Sequence, residues 1–221
     1  MPSRGGGAGG TAEVGSLLPR RLYRAAPERV ARALLGSFLV QDPVVLRISE
    51  VEAYGGPEDS ASHARFGRTD RNAPMWEDGG RIYLFICYGI HRMLNVVTGP
   101  EGAAGAVLIR ACEPVAGEEI WSSRRGGRTG PDGLAGPGRV GAALGLDQSW
   151  SRHRVFEAGG MEVRGAAVGT LPESRVASGP RVGIDYAEPS DRRRPWRFGL
   201  ADSRWVTHRH RFSAGPERHS G

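Results

Sequence analysis

Lysine is missing from this chain altogether; all 30 basic residues are arginine. Without it no side chain can form a Schiff base with a carbonyl, which excludes chemistry that runs through a lysine imine. Only the terminal amine is left for such a step. Cysteine is nearly absent: Cys87 and Cys112 stand alone, with no CxxC pair. That excludes a disulfide framework and a zinc knuckle, and predicts a cytoplasmic protein with no metal and no cofactor. Long hydrophobic runs are also lacking. The longest, IYLFICYGI (82–90), is too short to cross a bilayer, so no membrane partner is expected. The first ten residues, MPSRGGGAGG, have no apolar core of the kind a secretory signal needs. No internal repeat and no domain linker interrupts the rest.

What is present is enough for one domain with a core: 221 residues, of which 39% are hydrophobic. The net charge of +6 makes a polyanion the first partner to consider. Arginine suits phosphate because its planar fork donates two parallel hydrogen bonds. Codon bias is a competing origin for the missing lysine, since the 34 glycines point the same way.

Periodicity places the elements. PERVARALLG (27–36) reads as an amphipathic helix with Pro27 near its start and Gly36 closing it. SFLV and VVLRISEVEAY read as strands joined at QDP, and RIYLFICYGIHRMLNVVT (81–98) as two strands with a tight turn at Tyr88-Gly89. GAVLIRACEP (105–114) is a further strand, ended by Pro114. A helix starts within 118–125, residues 126–138 form a flexible cationic loop, and RVGAALGL (139–146) is a short helix. RPWRFGLADSRWVTH (194–208) reads as the closing strand. Residues 1–16 and 209–221 are expected to be disordered, which leaves a single domain over 17–208.

One stretch concentrates chemistry: EVEAYGGPEDSASH, residues 50–63. On a strand, Ile48, Glu50, Glu52 and Tyr54 share one face. That face is either the solvent side of an edge strand or a site. Two aromatic rings, Tyr54 and His63, with one carboxylate suit a flat heterocycle stacked on both faces beside a base. Glu50 and Glu52 also suit the carboxylate pair of a retaining glycoside hydrolase, which needs a separation of about 5–5.5 Å. A surface rich in arginine argues against a sugar chain as substrate. A third reading is a non-enzymatic nucleic-acid-binding module whose acidic cluster is structural. Further on, CYGIH (87–91) puts Tyr88 and Ile90 around Gly89 at a hairpin tip. There they are a wedge between base steps or a tip tucked against its own core. Arg65, Arg68, Arg71, Arg81 and Arg92 lie nearby in sequence, enough cations to track a phosphate backbone.

Together these residues resemble the 3-methyladenine (alkyladenine, or methylpurine) DNA glycosylases over roughly residues 18–207. Three segments carry the resemblance: EVEAYGGPEDSASHARFGRTDRNAPMW, RIYLFICYGIHRMLNVVT and GAVLIRACEPVAG. The resemblance implies an α+β fold, a single domain with a curved, mainly antiparallel β-sheet flanked by helices and a protruding β-hairpin. It implies Glu52 as the base that activates water, Tyr54 and His63 as the pair that sandwiches a flipped base, and Phe85 as a third wall. Other members often have tyrosine at that third wall, so a hydroxyl is lost here. It implies Tyr88 as the residue pushed into the duplex. Asn95 would exclude guanine by bulk and by an amide that faces its exocyclic amine. Arg110 falls near the water site. Gly136, Pro137 and Arg139 resemble a later DNA-contact segment, and His91-Arg92 stand where relatives can carry aromatics.

The implied activity is that of a monofunctional DNA glycosylase in base excision repair. It would flip alkylated or deaminated purines (3-methyladenine, 7-methylguanine, hypoxanthine, ethenoadenine) out of duplex DNA and hydrolyse the N-glycosidic bond, leaving an abasic site. No lyase step is expected. The expected partner is double-stranded DNA with damaged purines, bound by a monomer, on the nucleoid in a bacterium.

Overall fold

The computed structural model describes residues 13–167, 169 and 171–212. In chain order its elements are β1 (Val14–Leu17), α1 (Arg20–Tyr23), α2 (Pro27–Leu34), β2 (Phe38–Gln41), β3 (Val44–Tyr54), β4 (Ile82–Cys87), β5 (His91–Val97), β6 (Ala106–Ala116), α3 (Glu118–Ser123), α4 (Pro131–Leu134), α5 (Pro137–Ala143), β7 (Glu162–Ala166), β8 (Val176–Gly179), α6 (Pro189–Arg193) and β9 (Arg197–Leu200). The strands form one sheet in the order β1-β7-β2-β3-β6-β5-β4, with β9 joining β3 and β8 joining β9. Every pairing is antiparallel, and the sheet does not close into a barrel. The α+β single domain expected from the sequence is the fold observed.

β3 is the spine of the sheet. β6 pairs with it from Val45 to Tyr54, while the opposite edge is shared by β2, over Val44–Arg47, and β9, over Glu50–Glu52. Its first half alternates buried and half-buried residues, as a strand with one wet face should. From Ile48 to Ala53 every residue is buried. The register against β6 slips between Ile48 and Glu50, and again between Glu50 and Val51. These irregularities break the simple alternation that put Ile48, Glu50, Glu52 and Tyr54 on one face. The solvent-edge reading of the glutamates therefore fails. Their strand is hydrogen-bonded along both edges, and both carboxylates are 0% exposed.

Helix α2 begins at Pro27, whose missing N–H costs nothing in a first turn. It lays Val30, Ala31 and Leu34 on the core beside Leu46, Ile48 and Ile109. Burial of a Val or Leu side chain such as Val30 or Leu34 stabilises the fold by roughly 1.5–3 kcal/mol. Gly36, at φ +79°, turns the chain out of the helix towards β2.

The hairpin β4–β5 forms as expected. Three residues, Tyr88 to Ile90, connect the paired Cys87 and His91; Tyr88 at φ +51° and Gly89 at φ +72° make the turn, which the Ile90 N–H closes on the Cys87 carbonyl at 3.2 Å. Helix α5 braces it from one side. A Cβ added at Gly141 would meet the Arg92 carbonyl oxygen at 1.8 Å, so only glycine lets the helix lie this close to β5.

Four boundaries differ from the sequence reading. Pro114 does not end β6, which continues to Ala116; the register slips beside Pro114, where its missing N–H removes a ladder bond. Residues 126–138 are not a free loop, since Pro131 and Pro137 each start a short helix and Leu134 is buried. The closing strand is only Arg197–Leu200; the chain after it folds irregularly, and its Trp205 and Thr207 pack and bond against β3. Val14–Leu17 is a strand and Arg209–Arg211 a 3-10 turn, so the expected disorder of 1–16 and 209–221 is corrected at its inner edges. The remainder of those two segments lies outside the described residues.

Candidate active site

Glu52 lies two residues before the end of β3 with both carboxylate oxygens engaged. Oε2 accepts a hydrogen bond from the Tyr54 hydroxyl at 2.7 Å and one from Arg110 Nη1 at 3.2 Å. Oε1 accepts from the Val182 backbone N–H at 2.8 Å. Burial first, and then the Glu52 charge, hold the Tyr54 hydroxyl well above the ordinary tyrosine pKa, so it stays protonated and donates.

Arg110, on β6, spans two carboxylates. Its Nε donates to Glu50 at 2.9 Å while Nη1 reaches Glu52, and Nη2 meets the Thr207 hydroxyl at 3.3 Å. Burial opposes its charge, but Glu52 and Glu50 more than offset this and raise its pKa. Glu50 is fully committed elsewhere. Beyond Arg110 it accepts from Arg197 at 3.4 Å and from the Thr207 hydroxyl and N–H at 2.8 and 2.5 Å. Like Glu52 it is fully buried, and neither glutamate lines the cavities of about 340 and 610 Å³, so the two are not an open pair flanking a sugar, and the glycoside-hydrolase geometry is not met.

Above this network lies a cavity of about 340 Å³. Tyr54, His63, Phe85, Asn95 and Arg110 line it, as do Val182 and, at the mouth, Tyr88. All the residues singled out for base binding thus converge on one space. Glu52 lies beneath it, and three residues that hold Glu52 (Tyr54, Arg110, Val182) form part of the cavity wall. The His63 ring packs on Phe85 with centroids 4.1 Å apart, and its Nδ1 is 3.0 Å from the Tyr83 hydroxyl. Partial burial, then the charges of Arg65 and Arg71, hold the His63 pKa below its ordinary value, so the ring is neutral at neutral pH. Asn95 turns its amide nitrogen to the backbone carbonyls of Tyr83 (3.2 Å) and Met93 (3.0 Å).

Tyr88 is 90% exposed at the hairpin tip, so the tucked alternative does not hold. Ile90 beside it is also exposed. A second cavity of about 610 Å³ shares His63, Tyr83, Phe85 and Tyr186 with the first and is lined by Arg65 and Arg71. Arg65 is stacked between the rings of Phe66 (4.6 Å) and Tyr186 (4.8 Å). Among the described residues no carboxylate lies within ion-pair reach of Arg65, Arg68, Arg71 or Arg92. Arg81 and Arg139 are already paired, with Glu77 and Asp132. Gly136, at φ +145°, leads into Pro137, which lines the smaller cavity.

Val182, Thr207, Arg197 and Arg181 escaped the sequence reading. Each acts from more than a hundred residues away from Glu50 or Glu52, and the Val182 contribution is a backbone N–H that no side-chain motif encodes.

An aromatic-walled cavity thus lies over a buried carboxylate, beside arginines without acidic partners and an exposed tyrosine at the hairpin tip. The chain belongs to the methylpurine-DNA glycosylase family, whose model matches residues 21–204. It is 55% identical over 191 residues to the putative 3-methyladenine DNA glycosylase of Nitrosococcus oceani, covering 86% of this chain and 93% of that one. It is 48% identical over 192 residues to the DNA-3-methyladenine glycosylase of Arabidopsis thaliana, covering 86% of this chain and 74% of that one. The putative 3-methyladenine DNA glycosylase of Nocardia farcinica is 41% identical over 196 residues, with 86% and 90% covered.

Proposed function

We propose that this protein excises alkylated purines from duplex DNA by hydrolysis of the N-glycosidic bond, with Glu52 as the base. The observation that carries the reading is the seating of Glu52: fully buried and held at both oxygens by Tyr54, Arg110 and Val182, which themselves form part of the wall of a cavity lined by aromatic rings. The damaged base enters that cavity and stacks among Tyr54, His63 and Phe85. A purine alkylated at N3 or N7 is cationic, and a cation is attracted to electron-rich ring faces. A neutral His63 adds no repulsion.

The carboxylate is closed to bulk solvent, so the water it deprotonates enters with the nucleotide. Oε1, which accepts a single bond, has a lone pair to spare for that proton. The water oxygen bonds to C1′ as the N-glycosidic bond breaks, and the bonding pair leaves with the base. A cationic purine departs neutral and needs no proton. Glu52 also stabilises the positive charge that develops on the sugar. The product is an abasic site, and with no lysine the chain offers no side-chain amine for strand cleavage. Incubation with methylated duplex DNA should release free 3-methyladenine and 7-methylguanine, read by chromatography; release of neither would refute this function.

Arg68, Arg71 and Arg92, exposed and unpaired by acids, are proposed to take the phosphates. Three neutralised phosphates give a slope of log affinity against log salt of about −2.7 on B-DNA. The measured slope should be steeper than about −2; a shallower one would remove the arginine surface from DNA binding.

Tyr88 fills the space that the flipped nucleotide leaves. Tyr88→Ala should weaken lesion binding by about tenfold, since stacking on one base is worth roughly 1–3 kcal/mol. Non-specific binding through the arginines should change less. Unaltered lesion affinity, with a 2-aminopurine neighbour still reporting an opened stack, would move the wedge elsewhere.

A further inference from the structure

We propose that the buried Arg181–Asp59 pair is a positioning device for Glu52, acting on both of its carboxylate oxygens at once. The inference rests on the reading that Glu52 activates water. Both side chains are 0% exposed. Arg181 donates two parallel bonds to Asp59, at 2.6 and 2.8 Å. It also donates to the Ala53 carbonyl at 2.9 Å and the Asp191 carbonyl at 3.3 Å, so it ties the end of β3 to α6.

Two routes lead from this pair to Glu52. The first is the backbone. Val182 follows Arg181 directly, and its N–H is the donor to Oε1. The second is the Tyr54 ring. The Arg181 guanidinium carbon lies 4.9 Å from the Tyr54 centroid and 5.3 Å from that of Trp196. Arg181 thus fixes from one side the ring whose hydroxyl bonds Oε2. Asp59 holds the same ring through the chain, since its carboxylate accepts from the N–H groups of Gly55, next after Tyr54, and Ala61.

A role in stability alone accounts poorly for this arrangement. A buried ion pair is often no more stabilising than apolar residues of similar volume. Here its cost falls where a carboxylate must be aimed. The consequence is that Tyr54 has two duties: its ring stacks the base and its hydroxyl orients the catalytic carboxylate.

The test uses two variants, Arg181→Met/Asp59→Asn and Tyr54→Phe. The first removes both charges, so neither is left buried and unpaired. The second keeps the ring and removes only the hydroxyl. Single-turnover release of 7-methylguanine is followed across acid to alkaline pH with enzyme in excess, and rates are referred to the folded fraction by circular dichroism. Lesion affinity is measured separately in a Glu52→Gln background.

Each variant should slow the single-turnover rate by roughly tenfold or more. The acid limb of the pH–rate profile should also change, because donors to the carboxylate have been loosened or lost. Lesion affinity should change less than the rate does. A lower melting temperature with wild-type rate and wild-type acid limb in the double variant would overturn the proposal. If the double variant does not fold, a wild-type acid limb in Tyr54→Phe overturns it equally. Full activity of Glu52→Gln would instead refute the reading of Glu52 itself, an outcome distinct from both.

Discussion

Glu52→Gln should bind damaged DNA and release no base from it. The amide has the shape of the carboxylate but cannot take a proton from water, and loss of a positioned general base costs roughly 10²- to 10⁴-fold. The variant also loses the negative charge that stabilises the sugar cation, so the upper part of that range is expected. Folding should survive. Arg110 keeps Glu50 as its counter-ion, through the 2.9 Å bond from Nε. The glutamine oxygen can still accept from Tyr54 and Arg110, but its NH₂ then faces the Val182 N–H, donor against donor. That mismatch costs about 1–3 kcal/mol and should appear as a lower melting temperature. Binding should hold or strengthen slightly, since an anion near phosphates has been removed. Free base is measured by chromatography and binding by gel shift on the same lesion duplex. Near wild-type excision would remove Glu52 from the mechanism.

Local pattern carried the fold where the chain obeys a simple period. The alternation at the start of β3, the Tyr88-Gly89 turn and the amphipathic α2 were all legible because each depends on neighbours in sequence. Legibility ended where tertiary burial overrides the period. Glu50 and Glu52 looked like a wet edge, because nothing local reveals that β9 and the segment through Thr207 cover them from the far end of the chain. Pro114 looked like a terminator because a missing donor is tolerated only beside a register slip, and a slip involves the partner strand. The site divides the same way. Tyr54, His63, Phe85, Tyr88, Asn95 and Arg110 meet around one cavity, yet spacing alone left each with a bland alternative. The resemblance of three segments to one family drew them together. Val182 lies outside those segments and stayed invisible, although its N–H completes the bonding of Glu52.

Asn95→Ser should raise removal of 7-methylguanine relative to hypoxanthine. Aromatic walls stack any purine, so discrimination must come from the edges of the base. Guanine carries an amine at position 2, where hypoxanthine and adenine carry hydrogen. Asn95, on β5 in the cavity wall, is 6% exposed and held in place by its two bonds to the Tyr83 and Met93 carbonyls. Those bonds correct the sequence reading. The amide nitrogen is spent on the backbone and does not oppose the guanine amine; among the described residues no donor meets the side-chain oxygen. The exclusion proposed for Asn95 therefore rests on bulk. A side chain fixed by two hydrogen bonds cannot swing aside to admit an extra amine. Serine is shorter and opens that space without touching the stack or Glu52. One added group in a tight pocket is worth roughly 1–3 kcal/mol, so the ratio should rise by about tenfold or more. The two carbonyls lose their donor, and this can slow every substrate together. The comparison must accordingly be a ratio within one enzyme, from single-turnover rates on matched duplexes. A ratio equal to that of the wild type would mean that Asn95 does not set selectivity, and that guanine is rejected at another edge of the cavity.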